Sequence, residues 1–274
     1  MRQVFSILVA SSATAALRLS AVSGKAAFHT AARSGVAHLS VAADTAAALR
    51  ALTGAAKDDV RGIARPDAAV PILPACTYWI GAAFRKWLGS DDPIAVGRDP
   101  RLSSEELSTA FCRGAGARDA GPATTPAMLE SLLGPSAEYV GSVMVTASHL
   151  PAEWNGLKFF ARPLGRGLNK QEVRQVMELA VQLGEAGGAV DGTSPVPVHD
   201  GFMRPYVEKL QAAVRSAAGG DDAAPLRGMR VCVNPGNGAG GFFASAVLVP
   251  LGADTSASIN LEPDGSFPAH MHRP

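Results

Sequence analysis

Apolar residues along the chain recur alternately with helical and with strand periods. Between Ala75 and Leu88 they fall at helical spacing, with Trp79, Ala83 and Trp87 four apart, and the run stops at Gly89, which predicts a helix. Pro93 to Gly97 then reads as a short buried strand. Ser103 followed by Glu106 has capping-box spacing and opens a helix running towards Arg113. Tyr139 to Val145 predicts a second buried strand, with Val143-Met144-Val145 at its centre. Asn169 and Glu172 repeat the capping spacing ahead of Val173, Val176, Leu179, Ala180 and Leu183. A further helix is expected from about Phe202 to Ala217, stopping at Gly219-Gly220. After it come a strand at Met229–Val233, a glycine loop and the apolar stretch Phe242–Val249. Gly187 to Pro197 is rich in turn residues, and a domain boundary is placed near it. Strands alternating with helices imply an α/β fold with parallel pairing and right-handed crossovers. Chemistry in such sheets gathers at the carboxyl ends of the strands.

Composition narrows the class. With 47% hydrophobic and 18% charged residues, the 274-residue chain can bury a core and is not wholly disordered. A net charge of +1 offers no electrostatic reason to expect nucleic acid as partner. No apolar run is long enough to predict a membrane-spanning helix. Cys76, Cys112 and Cys232 lie far apart with no CxxC pair, which argues against a disulfide framework and a structural zinc, and for a reducing compartment. The charge is uneven. Met1 to Ala43 contains no Asp or Glu but has Arg2, Arg18, Lys25, Arg33 and many serines. At the chain's overall acid frequency such a gap has a chance of roughly 2%, and its composition is that of an organelle transit peptide. A secretory signal around Ile7–Ala10 and a disordered alanine-rich tail are the competing readings. Taking those four basic residues from the 25 Lys and Arg leaves 21 against 24 acids, a mildly acidic body of net −3.

Three loops follow predicted strands. Gly97-Arg98-Asp99-Pro100-Arg101-Leu102-Ser103-Ser104 offers two arginines and helix-start amides for an anion, but an Arg–Asp pair fixing the turn is the preferred reading. Val145 to Pro151 carries Ser148 beside His149 at a strand end; with Thr146 and Leu150 where glycines belong, it is not a GxSxG elbow, so a hydrolase loses its support. Further on, Lys158 enters the apolar pair Phe159-Phe160, where partial desolvation would suit it to proton transfer. Gly236, Gly238 and Gly241 satisfy GxGxxG, with Glu262 at a ribose-contact distance, which keeps a dinucleotide-binding oxidoreductase as an alternative. His270-x-His272 is a poor metal pair without a third ligand.

Taken together, VGRDPRLSS, TASHLPAEWNGLKFF and VNPGNGAGG resemble, in order, motifs of the α-D-phosphohexomutases, the family of phosphoglucomutase, phosphomannomutase and phosphoglucosamine mutase. Asp59-Val60-Arg61-Gly62-Ile63, Thr125-Pro126-Ala127 and Glu262 to His270 resemble three more of its segments. The resemblance covers about Asp58 to Pro274. It implies mixed, largely parallel sheets sandwiched by helices. Residues 1–43 would be the transit peptide, 55–190 a first domain carrying the phosphoserine loop, and 198–274 an incomplete second domain of a four-domain enzyme. Ser148 matches the phosphoserine that exchanges a phosphoryl group with a hexose phosphate and would also be one ligand of Mg²⁺. His149 and Arg61 match positions near it, Arg61 as a phosphate binder, and Lys158 matches the proton-transfer lysine.

Departures accompany the match. Leu150 stands where the family has asparagine, which resembles a plant and algal branch and suggests a plastid, with the mitochondrion as alternative. Trp154 replaces a tyrosine, and His272-Arg273 replaces Pro-Asn. No DGDxDR segment supplies metal carboxylates, and no GEMSGH-like or RxSxTEP-like loop reads the sugar or its distal phosphate. The expectation is a phosphohexomutase chain that is incomplete and weakly active or inactive alone. A non-catalytic paralogue acting as a binding protein is the other alternative.

Overall fold

Two hydrophobic cores, one on each face of a single sheet, organise the chain. The computed structural model describes residues 34–134, 137–220 and 222–269. In order the elements are α1 (Ser34–Ala55), β1 (Val60–Ile63), α2 (Pro74–Leu88), β2 (Ile94–Arg98), α3 (Ser104–Ala115), β3 (Arg118–Pro122), α4 (Thr125–Glu130), β4 (Gly141–Val145), β5 (Trp154–Ala161), β6 (Arg166–Gly167), α5 (Lys170–Ala186) and α6 (Arg204–Ala217). All five residues of β4 are buried. Val143 and Val145 enter a core with Phe84, Phe111 and Phe159, packed by α1, α2, α3 and α5. Met144 enters the opposite core with Met128, Tyr139 and Phe160. A strand apolar on both faces needs layers on both, and an α/β/α sandwich supplies them.

The sheet is mixed, in the order β1-β5-β4-β2-β3 with β6 beside β5. β2 pairs in parallel with β3 and β4. β5 pairs antiparallel with β4, β1 and β6. Parallel pairing thus holds where α3 and α4 cross over. It ends at β5, because only the loop 146–153 separates β5 from β4 and the chain turns straight back. The helices α2 and α3 meet backbone to backbone. A Cβ on Gly114 would lie 1.9 Å from the Tyr78 carbonyl oxygen, and one on Gly81 would lie 2.4 Å from that of Phe111.

Helix α1 was not predicted; its run is rich in alanine, yet Leu49 and Leu52 are fully buried against the first core. Residues 34–43 of the acid-free stretch are its opening turns, and residues 1–33 lie outside the described residues, as does His270-x-His272. The capping box at Asn169 and Glu172 forms in full. The one expected at Ser103 and Glu106 does not: the Ser103 hydroxyl accepts a hydrogen bond from Asn155 Nδ2 at 2.9 Å instead. The strand expected at Met229–Val233 also fails to form. That segment has the apolar pattern, but only an isolated bridge between Arg230 and Asp254 and a few hydrogen bonds to residues 254–259. A strand requires a ladder along its length, and none of these five residues is buried. The stretch after it forms a 3-10 turn at Ala239–Gly241, a π-type helix at Phe243–Leu248 and a second 3-10 turn at Val249–Leu251. No described helix is long and apolar enough to cross a membrane.

Candidate active site

The loop 146–153 leaves the carboxyl end of β4 and carries Ser148 and His149, both exposed at its tip. Ser148 adopts φ 56°, in the left-handed region. A non-glycine residue there is held by its surroundings. Its amide donates to Thr146 Oγ1 at 2.9 Å, and its carbonyl accepts from the Arg101 guanidinium at 3.0 Å. Ser148, His149 and Leu150 line a cavity of about 210 Å³, closed on the far side by Pro235, Gly236, Gly238 and Phe267.

Arg101 is the main support of this loop. Its side chain is 1% exposed. Nε donates to Asp99 Oδ2 at 3.0 Å, and the remaining four N–H groups reach the carbonyl oxygens of Ser148, Leu150, Pro151 and Trp154 at 2.5–3.0 Å. The Asp99 carboxylate also accepts from Ser104 Oγ at 2.7 Å and Thr146 Oγ1 at 2.6 Å. Asp99 and Arg101 therefore act as the turn-fixing pair preferred from sequence. Arg98 joins no anion site either, since it donates to both oxygens of Asp119.

A second hook holds the same loop from β1. Asp59 and Arg61 are two residues apart and share a face, and Lys158 reaches Asp59 from β5. Asp59 Oδ2 accepts from Arg61 Nε at 2.9 Å and from Lys158 Nζ at 2.8 Å. A further Arg61 nitrogen donates to the Ala147 carbonyl at 3.3 Å. Burial pushes the Asp59 carboxyl upward, but the hydrogen bonds from Arg61 and Lys158 and their charges together outweigh it and hold it below its ordinary value. Gly156, opposite Arg61, makes room for this arrangement: a Cβ there would lie 2.4 Å from the Val60 carbonyl and 3.2 Å from Arg61 Cγ.

Ser148 and His149 thus stand together at the cavity, while Arg61 and Lys158 meet on Asp59 and do not line it. The His149 side chain has no hydrogen-bond partner among the described residues. The Lys158 side chain is partly buried, 23% exposed, but it is not enclosed by both of its apolar chain neighbours. Side chains alternate along β5, so Phe159 points into the core and Lys158 points the other way, into an ion pair. Asp99, Arg101 and Thr146 went unrecognised as supports of Ser148. The readable signal was the repeated Asp-x-Arg spacing at 59–61 and 99–101, where both arginines grip their own aspartate and then the Ser148 loop.

The described residues around Ser148 do not fit the expected Mg²⁺. Asp59 and Asp99 are engaged by cations and hydroxyls, and no group of three His, Cys, Asp or Glu side chains among the described residues could hold a metal ion. The dinucleotide fingerprint is also unsupported. Its glycines follow an unladdered segment and lead into short 3-10 and π-type turns rather than an α-helix, and the bare face of Gly241 is closed by the Leu261 carbonyl, 2.0 Å from an added Cβ.

Comparison with known proteins agrees with the fold. Residues 54–183 match the family described as phosphoglucomutase/phosphomannomutase, alpha/beta/alpha domain I. A phosphoglucomutase/phosphomannomutase of Thermococcus kodakarensis is 33% identical over 224 residues, 78% of this chain and 46% of that protein. A phosphoglucosamine mutase of Synechococcus elongatus is 27% identical over 214 residues, 76% of this chain and 43% of that one. The chain spans less than half the length of these relatives. A crystal structure of a phosphoglucomutase/phosphomannomutase family protein from Burkholderia thailandensis shares the fold, with TM-score 0.62 and 24% identity over 81% of this chain and 46% of that one. Residues 54–183 of this chain thus match an α/β/α domain I as described for phosphoglucomutase/phosphomannomutase, and the solved structure shares its fold.

Proposed function

We propose that this chain carries the phosphoserine part of a phosphohexomutase site, interconverting hexose 1- and 6-phosphates through Ser148. The observation that carries the reading is the left-handed Ser148, fixed by Thr146 and Arg101 at the mouth of an open cavity. Phosphorylated there, the serine gives its phosphoryl group to a sugar hydroxyl: the P–Oγ bond breaks, a P–O bond to the sugar forms, and the hydroxyl proton leaves. The reverse step returns the other phosphate of the bisphosphorylated sugar to Oγ. His149 at the cavity wall takes the hydroxyl proton, and Lys158, which does not line the cavity, delivers a proton to the departing serine oxygen only on leaving its pair with Asp59. Arg61 supplies positive charge beside Ala147 as charge develops in flight.

The test is intact-mass measurement after incubation with a hexose 1,6-bisphosphate. One phosphate is expected on the wild-type chain and none on Ser148→Ala; a wild type that never takes phosphate refutes the reading. In the same reading residues 55–190 are a first domain and 198–274 belong to a second. The acid-free residues 1–43 act as a plastid address. A fluorescent protein fused behind them would enter plastids, and entry into mitochondria or secretion would overturn that assignment.

A further inference from the structure

We infer that Phe267 is a positioning residue for the Ser148 loop, acting through Arg101. The inference rests on the reading of Ser148 as the phosphoryl-carrying residue. Phe267 has φ 50°, a backbone region unfavourable for a bulky side chain. Its turn is set by its own amide, which donates to the Asp264 carbonyl at 3.0 Å, while Asp264 Oδ1 accepts from the Ser266 amide and hydroxyl. The turn is pressed onto the loop that carries Arg101: a Cβ on Gly265 would lie 2.3 Å from the Pro100 carbonyl and 2.8 Å from the Leu102 amide. The result is that the Phe267 ring faces the Arg101 guanidinium, with Cζ 5.1 Å from the ring centroid.

The geometry is complementary. All five N–H groups of Arg101 are engaged in the guanidinium plane, so only its flat faces remain for a further contact. An aromatic ring suits a cationic face electrostatically and keeps water from competing for the loop carbonyls. Phe267 also lines the cavity that Ser148 opens into. A strained residue far along the chain thus keeps the guanidinium seated, and the guanidinium keeps Ser148 in its left-handed pose.

The test compares the full chain with Phe267→Ala, Phe267→Gly and Phe267→Tyr by amide hydrogen exchange and by phosphate uptake from a hexose 1,6-bisphosphate. Glycine removes the ring but relieves the left-handed backbone, so a purely local structural role predicts no loss of protection in Phe267→Gly. Positioning predicts exchange about tenfold faster across residues 146–154 in Phe267→Ala and Phe267→Gly, the equivalent of one partly shielded cation–π contact. Amides of β2 and β4 should stay unchanged, and Phe267→Tyr should restore the loop. Ser148 phosphorylation should slow by a similar factor. An unchanged loop in Phe267→Gly overturns the inference, as does an unchanged labelling rate in that variant when the wild type labels. A wild type that takes no phosphate overturns the Ser148 reading alone, and the exchange measurement then decides Phe267.

Discussion

Arg101→Lys keeps the charge beneath the Ser148 loop but cannot keep its geometry. The guanidinium makes five hydrogen bonds, four of them to carbonyls spread from Ser148 to Trp154. An ammonium has three donors diverging from one point, so at least two of these bonds are lost. Hydrogen bonds from a charged donor contribute about 1.5–3 kcal/mol each, and the site is closed to compensating water, so the variant should lose about 3 kcal/mol. For a chain of this size that corresponds to a fall in Tm of about 6–12 °C. Arg101→Met should cost more, about 3–5 kcal/mol, because Asp99 is left without its cation. Urea unfolding followed by tryptophan fluorescence measures both, with Trp154 reporting from the end of the loop itself. A loss below about 1 kcal/mol for Arg101→Lys, at unchanged m, would show that the loop stands without these bonds and would refute the reasoning.

The other predictions concern Asp59, Ser148 and Gly114. Asp59→Asn should destabilise by about 2 kcal/mol near neutral pH, through weakened bonds to Arg61 and Lys158. Because the folded carboxyl lies below its ordinary 3.8, this stabilisation is fully present above that value and is lost as pH falls through the lower folded one. Wild-type and Asp59→Asn unfolding curves should therefore converge in acid. Ser148→Gly should leave stability unchanged or raise it by up to about 1 kcal/mol, by removing left-handed strain, while abolishing phosphate uptake; calorimetry with intact mass checks both. Gly114→Ala should cost about 2–3 kcal/mol, read as a lowered urea midpoint, because its methyl group meets the Tyr78 carbonyl.

The elements visible in sequence were those whose period was set by a single apolar face or by two. α2, α5 and α6 show a helical stripe, and β2 and β4 show unbroken apolar runs. The missed strands are those in which the sheet overrides composition. β3 reads Arg-Asp-Ala-Gly-Pro, tolerable because it is an edge strand. β5 contains Gly156 and Lys158, which look like breaks, although one admits Arg61 and the other completes an ion pair. The Met229–Val233 prediction failed in the opposite way, because an apolar pattern makes a strand only when a neighbour supplies a ladder. At the site, motif order pointed to Ser148, His149, Lys158 and Arg61, while Phe267 over Arg101 is a contact between residues 166 positions apart that local spacing cannot encode.

Lys158 and Phe159 are neighbours on β5, one aimed at Asp59 and the other packed against Phe84 at a centroid distance of 5.2 Å. A slip of the strand by one residue would exchange them, driving an ammonium into the aromatic core and turning a ring towards the carboxylate. The lysine's aim and the protein's ability to fold are therefore one heritable trait rather than two. A mutation that misdirects Lys158 by this route would be purged as a folding defect before it could be judged as a loss of chemistry.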